Sequence, residues 1–248
     1  MQFARKQYMD QLIKKKDNGR VKVITGLRRS GKSYLLFNLF HQYLLDSGIG
    51  DDQIVELALD EIDNAKYRNP FELNKAVKER VLDKQKRYYV FIDEIQFVTE
   101  IQNPYVDDPN EKLTFIDVVL GLMKLPNLDI YVTGSNSKML SSDVLTQFRD
   151  RGDEIRVNPL SFAEVYENYE GDKRGVWRDY YTYGGMPLVW TMESHEERSR
   201  YLRDLFNRTY IKDVLERHQI KNEEEVLEKL LNVLASAIGS LRNCHEIN

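Results

Sequence analysis

The sequence predicts an α/β fold with parallel strands, and three observations carry that prediction. Short β-branched or apolar runs alternate with longer segments of helical periodicity. A glycine-bearing octapeptide, Gly26-Leu27-Arg28-Arg29-Ser30-Gly31-Lys32-Ser33, joins the first of these runs to the first apolar helix. Further on, the apolar run Tyr88-Tyr89-Val90-Phe91-Ile92 ends in the carboxylate pair Asp93-Glu94.

Composition bounds the answer before any single residue does. A chain of 248 residues with 42% hydrophobic and 11% aromatic residues has ample material for a core. Its net charge of −4 argues against a uniformly basic nucleic-acid coat and leaves a local basic face open. The single cysteine, Cys244, excludes an internal disulfide and a cysteine-based zinc site. His41, His195, His218 and His245 lie far apart and lack ligand spacing. No apolar run approaches ~18 residues, and Met1-Gln2-Phe3-Ala4-Arg5-Lys6 lacks the apolar core of a signal peptide, so the expectation is a cytoplasmic chain without a membrane span.

Taken in order, residues from about Phe3 to Lys16 read as a basic amphipathic helix. Its Lys14-Lys15-Lys16 run suits either nucleic acid or a solvated helix end. Val21-Lys22-Val23-Ile24-Thr25 is a buried strand, and an apolar helix runs from Tyr34 to about Ser47-Gly48. Between them, Gly26, Gly31, Lys32 and Ser33 fill every fixed position of the phosphate-binding pattern G-x-x-x-x-G-K-[ST]. A turn that wraps an anion must aim its N–H groups inward, which a side chain at either glycine would obstruct; the helix N-terminus adds partial positive charge. Lys32 would reach β- and γ-phosphates, Ser33 would hold Mg²⁺, and the stretch from Gly26 through Tyr34 forms the candidate nucleotide-binding set.

A strand at 53–59 and a helix from Pro70 to about Lys84 continue the α/β rhythm. The strand ending at Asp93-Glu94 gives two acids with distinct uses. Asp93 can bind the Mg²⁺ shell, and Glu94 can orient the water that attacks a γ-phosphate. Residues 99–112 lack periodicity and read as a polar loop, followed by a helix over 113–125. The strand 128–132 leads into Thr133-Gly134-Ser135-Asn136-Ser137, where Asn136 first and Ser135 second are candidates to touch the γ-phosphate; either also suits a helix cap. Arg149 and Arg151 are candidate nucleotide sensors, in cis or from a neighbouring subunit, or else members of an ion-pair cluster with Asp150 and Asp153. A last strand, 153–157, ends at Asn158-Pro159. Beyond Leu160 the pattern turns helical, opening on the N-cap Ser161-Phe162-Ala163-Glu164 and continuing over 196–219 and 223–238. Within it, Tyr180-Tyr181-Thr182-Tyr183-Gly184-Gly185-Met186-Pro187 forms a sharp turn whose tyrosines suit core packing or base stacking.

Together, the stretches Ile24 to Ser33, Phe91 to Gln96, Val132 to Ser137, Asn158 to Phe162 and Tyr183 to Pro187 resemble prokaryotic ATP-binding proteins of the AAA+ superfamily, on the side near the STAND and archaeal-type ATPases. The resemblance implies a five-stranded parallel P-loop core over 1–158, then a helical lid and the start of a winged-helix-like region over 159–248. In longer members a nuclease-like domain follows. Two departures stand out: Asp150 separates Arg149 from Arg151 where the family usually has glycine, and the chain ends where the winged-helix-like segment would continue, which suggests a truncated member. The expected activity is slow Mg²⁺-dependent ATP hydrolysis in a nucleotide-set switch. The alternatives are a nucleotide-gated DNA- or protein-binding module with incidental ATPase activity and, behind it, a small-molecule kinase. Homo-oligomerisation stays open.

Overall fold

The structure, a computed structural model, describes residues 2–134, 148 and 151–211, together with single positions at Lys229, Asn232, Val233, Ala235 and Ser236. The chain divides into two compact units, Met1–Glu193 and Ser194–Asn248.

The first unit is built on a five-stranded, wholly parallel sheet in the order β2-β3-β6-β1-β7. Its strands are β1 (Val21–Thr25), β2 (Ile54–Ala58), β3 (Tyr88–Asp93), β6 (Leu128–Thr133) and β7 (Gly152–Arg156). The three central strands are buried along their whole length, which is why they read as unbroken apolar runs, whereas the edge strands β2 and β7 alternate. Side chains of period two send Val21, Val23, Val90, Ile92, Ile130 and Val132 to one face, under α3 (Pro70–Arg80) and α4 (Phe115–Leu122). Ile24, Tyr89, Phe91 and Tyr131 go to the other, under α1 (Lys6–Lys15) and α2. Helix α2 is assembled from Lys32–Tyr34, a π-helical stretch Leu35–Phe40 and His41–Asp46. Its Phe40 sits 5.0 Å from Tyr131 and 5.9 Å from Phe91, and those two rings meet edge to face at 5.4 Å. Each such aromatic pair contributes about 0.5–1.5 kcal/mol beyond simple burial. This wedge fixes α2 on the sheet and therefore fixes where its first residues point.

Two charged residues interrupt the central strands. Lys22 and Asp129 are fully buried and paired with each other, and Asp129 also accepts from Tyr131 Oη at 2.7 Å and from the backbone N–H of Asp17 at 2.9 Å. Burial pushes the Lys22 ammonium below the ordinary lysine value, and Asp129 opposes the shift. The network continues outward through Asp17 to Arg87 and Tyr89, tying the loop after α1 to the strand-N-terminal edge of the sheet.

Several boundaries differ from expectation for local reasons. The segment 99–112 is not a plain loop: Ile101–Gln102 (β4) and Lys112–Leu113 (β5) pair antiparallel. Asn103 and Asp108 side chains cap the turns between them, and strands of two residues are too short to show a period. Helix α4 accordingly starts at Phe115, where Thr114 and Asp117 form the cap. Beyond β7, α5 (Phe162–Asn168) opens with the expected reciprocal Ser161–Glu164 cap, and α6 (Lys173–Tyr183) ends at Gly184, which takes φ +69°. Pro187–Thr191 forms a single 3₁₀ segment. In the second unit α7 (His195–Leu205) is capped by Ser194 and Glu197. Of the helices expected over 196–219 and 223–238, residues 212–219 and most of 223–238 lie outside the described residues.

Removing one partner of a buried ion pair leaves an uncompensated charge. Asp129→Ala is therefore expected to cost about 3–5 kcal/mol in urea unfolding, and the joint replacement Lys22→Met with Asp129→Leu to recover most of that loss. A loss below about 1 kcal/mol for Asp129→Ala would contradict the assignment.

Candidate functional site

The loop Gly26–Ser33 leaves β1 at the strand-C-terminal edge, between β6 and β7. Gly26 takes φ +143°, and a Cβ there would lie 2.2 Å from the carbonyl oxygen of Val157, so only glycine lets the end of β7 close on the loop. Arg29 and Gly31 also adopt positive φ, at +63° and +95°, which turns the chain back on itself before α2 begins. Lys32 opens that helix and is buried. Its Nζ donates to the carbonyls of Gly26 at 3.2 Å and Leu27 at 3.0 Å. Burial pushes this ammonium below the ordinary lysine value, while Glu94 and then Asp93 pull it back. Ser30 is fully buried, and its Oγ has no hydrogen-bond partner among the described residues.

The acids reach this loop because of the sheet's alternation. Asp93 lies two residues beyond Phe91 and Thr133 two beyond Tyr131, so both belong to the face that α2 covers. Asp93 is buried and accepts hydrogen bonds from Thr133 Oγ1 and from Ser33. Burial pushes its carboxyl above the usual range, those two donors pull it down, and the nearby charge of Glu94 raises it again. Glu94 sits at φ +53°, ψ +50°, a left-handed conformation that costs a non-glycine residue roughly 1–3 kcal/mol. Among the contacts that hold it there, its N–H donates to Thr133 Oγ1 at 3.3 Å, its carbonyl accepts from Phe97 N–H at 2.9 Å, and Gln96 Nε2 donates to Glu94 Oε2. Thr133 and Gln96 are absent from the sequence-derived site. Their only signal is position, two residues past an inward aromatic and two past an acid.

Beside the loop opens a cavity of about 270 Å³, lined by Ser30 and Tyr34, by Phe3 and Arg5 from the N-terminal segment, and by Leu160 and Pro187 from the segment after β7. The buried Arg5 guanidinium links those last two regions. It pairs with Glu164 at 3.3 Å, donates to the carbonyl of Asn158 and lies 4.6 Å from the ring centre of Tyr8. Gly185 packs so tightly on Leu160 that a Cβ would fall 1.9 Å from its carbonyl oxygen, and this holds Pro187 beside Gly31. Residues so far apart in the chain gave no sequence signal of a shared cavity.

The structure thus gathers Gly26 through Tyr34, Asp93 and Glu94 at one sheet edge. Ser135, Asn136 and Arg149 lie outside the described residues. Arg151 falls elsewhere: its carbonyl accepts from Val21 N–H at 3.0 Å, at the opposite end of β1. A strand of five residues separates the two edges, about 16 Å at 3.3 Å per residue. Arg151 therefore does not reach the loop of its own chain, and the cluster expected with Asp153 forms instead between Asp153, Arg20 at 3.1 Å and Lys15 at 3.8 Å. Lys16 is similarly engaged with Asp17 and Tyr89. Two of the three lysines proposed for nucleic acid thus serve the fold. Among the described residues no helix is long and apolar enough to cross a membrane.

The family described as "AAA domain" matches residues 18–166, and a "Domain of unknown function (DUF8612)" matches residues 174–248. An "Uncharacterized protein" of Haemophilus influenzae is 31% identical over 251 residues, covering 99% of this chain and 58% of the relative. The "Uncharacterized protein MJ1544" of Methanocaldococcus jannaschii is 27% identical over 237 residues, covering 89% of this chain and 47% of its own. The chain spans about half the length of these curated relatives. Its fold is similar to that of the Walker-type ATPase PABY2304 of Pyrococcus abyssi, with a TM-score of 0.52 at 17% identity over 95% of this chain and 76% of that one. The family match covers more than half of the chain and contains both the phosphate-type loop and the acidic strand end; the chain belongs to the AAA domain family and is an ATP-binding protein of the AAA+ superfamily.

Proposed function

We propose that this chain hydrolyses ATP with Mg²⁺ at the edge formed by Gly26–Tyr34, Asp93 and Glu94, and that the bound nucleotide sets the position of the segment after β7. One observation carries the reading: a desolvated Lys32 ammonium sits in a glycine-built loop, its hydrogen-bond acceptors among the described residues being neutral carbonyls, beside a buried Asp93 that Ser33 also touches. The residues fit both a nucleotide and its metal. A buried cation that donates to carbonyls favours an anion, and Ser30 Oγ, unpartnered among the described residues, offers a further polar contact in the same loop.

In this reading Lys32 holds β- and γ-phosphate oxygens, Ser33 and Asp93 hold Mg²⁺, and the cavity beside Tyr34 and Pro187 takes the base. The metal supplies charge neutralisation on the phosphates. Glu94 orients the attacking water and accepts its proton. Its left-handed backbone and its bonds to Thr133 and Gln96 fix the carboxylate in advance, which is where positioning and electrostatic catalysis get their advantage. Asn136, or else Ser135, senses the γ-phosphate. Because Leu160 and Pro187 line the cavity and Arg5 ties it to Glu164, occupancy bears on the helical segment directly.

Lys32→Ala is expected to abolish measurable binding of a fluorescent ATP analogue. Glu94→Gln should bind it as wild type does and release phosphate about 10²–10⁴-fold more slowly; unchanged turnover would refute the role of Glu94. Gln96→Ala is expected to lower kcat about tenfold with KM unchanged, as loss of a group that acts only on the transition state requires. A KM rise at constant kcat would instead make Gln96 a binding residue. Recovery of ADP with free phosphate, rather than a phosphorylated acceptor, separates hydrolysis from kinase chemistry.

A further inference from the structure

Helix α6 presents chemistry that the nucleotide site does not use. Lys173, Trp177 and Tyr181 follow one another at four-residue spacing, with Arg174 and Arg178 alongside, so the five share one exposed face. Trp177 is 57% exposed and Tyr181 66%, although Trp and Tyr side chains of a core would be covered. The aromatic run has divided its labour. Tyr180 donates to the carbonyl of Leu160 at 2.9 Å and stacks near Trp190, while Tyr181 remains outside. Trp177 is braced from below by Phe162, edge to face at 4.9 Å, and by Tyr180, so its ring is held rigid and not free to fold away. Around these rings α6 carries three cations against one carboxylate, Asp179, on a chain whose net charge is −4. Arg174 pairs with Asp172 at 3.3 Å, Arg178 with Asp179 at 3.7 Å, and the Lys173 ammonium lies 4.6 Å from the ring centre of Tyr166, but both guanidinium side chains stay largely exposed, and such surface contacts are weak enough to exchange for phosphate.

Rigid, open π-faces interleaved with solvated cations are the two components that sequence-tolerant binding of unpaired bases requires. We propose that the exposed face of α6 binds single-stranded nucleic acid, with Trp177 and Tyr181 stacking on bases and Lys173, Arg174 and Arg178 meeting phosphates. Paired bases offer no free face to these rings, so a duplex is the weaker ligand. An apolar protein surface would offer the three cations nothing in exchange for these weak surface pairings. The site stands apart from the ATPase reading and holds or fails without it.

The test is fluorescence anisotropy of a labelled oligo-dT with the intact chain, joined to quenching of intrinsic tryptophan emission. Three phosphate contacts on a single strand predict a logarithmic salt slope of about −2, a roughly twenty-fold loss of affinity between about 50 and 200 mM salt. Arg174→Glu with Arg178→Glu should weaken binding at least about tenfold at unchanged melting temperature, since neither side chain is buried. Trp177→Phe should retain binding and lose most of the quenching, because the other tryptophan, Trp190, is buried. No binding at low salt, duplex bound as tightly as the single strand, or full affinity in the charge-reversed variant would each overturn the proposal.

Discussion

A lysine ammonium held nearly dry at the edge of a parallel sheet is the constraint to which the surrounding structure answers. Lys32 is desolvated by the loop that presents it, and among the described residues two carbonyls and the nearby field of Glu94 and Asp93 offset that cost. Holding it there demands a backbone that turns tightly, which Gly26 and Gly31 permit, and a helix that cannot rock, which the Phe40–Phe91–Tyr131 wedge provides. The acids arrive through simple alternation. Once Phe91 and Tyr131 face α2, Asp93 and Thr133 must face it as well.

The other end of the same sheet is bound differently. Lys22 and Asp129 place opposite charges on the adjacent strands β1 and β6, and Asp17, Arg87 and Tyr89 extend that pairing to the surface. A buried pair is a poor source of net stability, but a one-residue slip of β1 against β6 would leave both charges unmatched. Register at this edge determines geometry at the other, because Lys22 lies four residues before Gly26 along a straight strand.

Much of this was legible in the sequence where the signal is local. The glycine loop, the apolar strand ending in Asp93-Glu94 and the Ser161–Glu164 cap are short patterns with one physical meaning each. What stayed hidden depends on long-range placement. Lys22 looks like an ordinary polar interruption until Asp129 is seen beside it, and Thr133 is unremarkable until Asp93 needs a donor. The cavity joins residues from the two ends of the first unit, Phe3 and Pro187 among them. For Arg151 the sequence allowed a role in cis, one from a neighbouring subunit, or an ion pair, because chain proximity to a strand does not say at which end of the strand a residue lies; parallel pairing of Val21 with Gly152 puts it at the far one, which removes the role in cis alone. The paired stem at 101–113 was missed since two residues per strand carry no period.

One edge of the sheet is the proposed nucleotide site, and the cavity beside it the proposed link to the helical segment. Hydrogen exchange followed by mass spectrometry, with and without a slowly hydrolysed ATP analogue and Mg²⁺, tests this most directly. The expected result is protection concentrated in 26–34 and 93–96 together with 3–8 and 160–188, the segments that line the loop and the cavity. Protection confined to the opposite edge, around Lys22, Arg87 and Arg151, or no protection at saturating nucleotide, would contradict it.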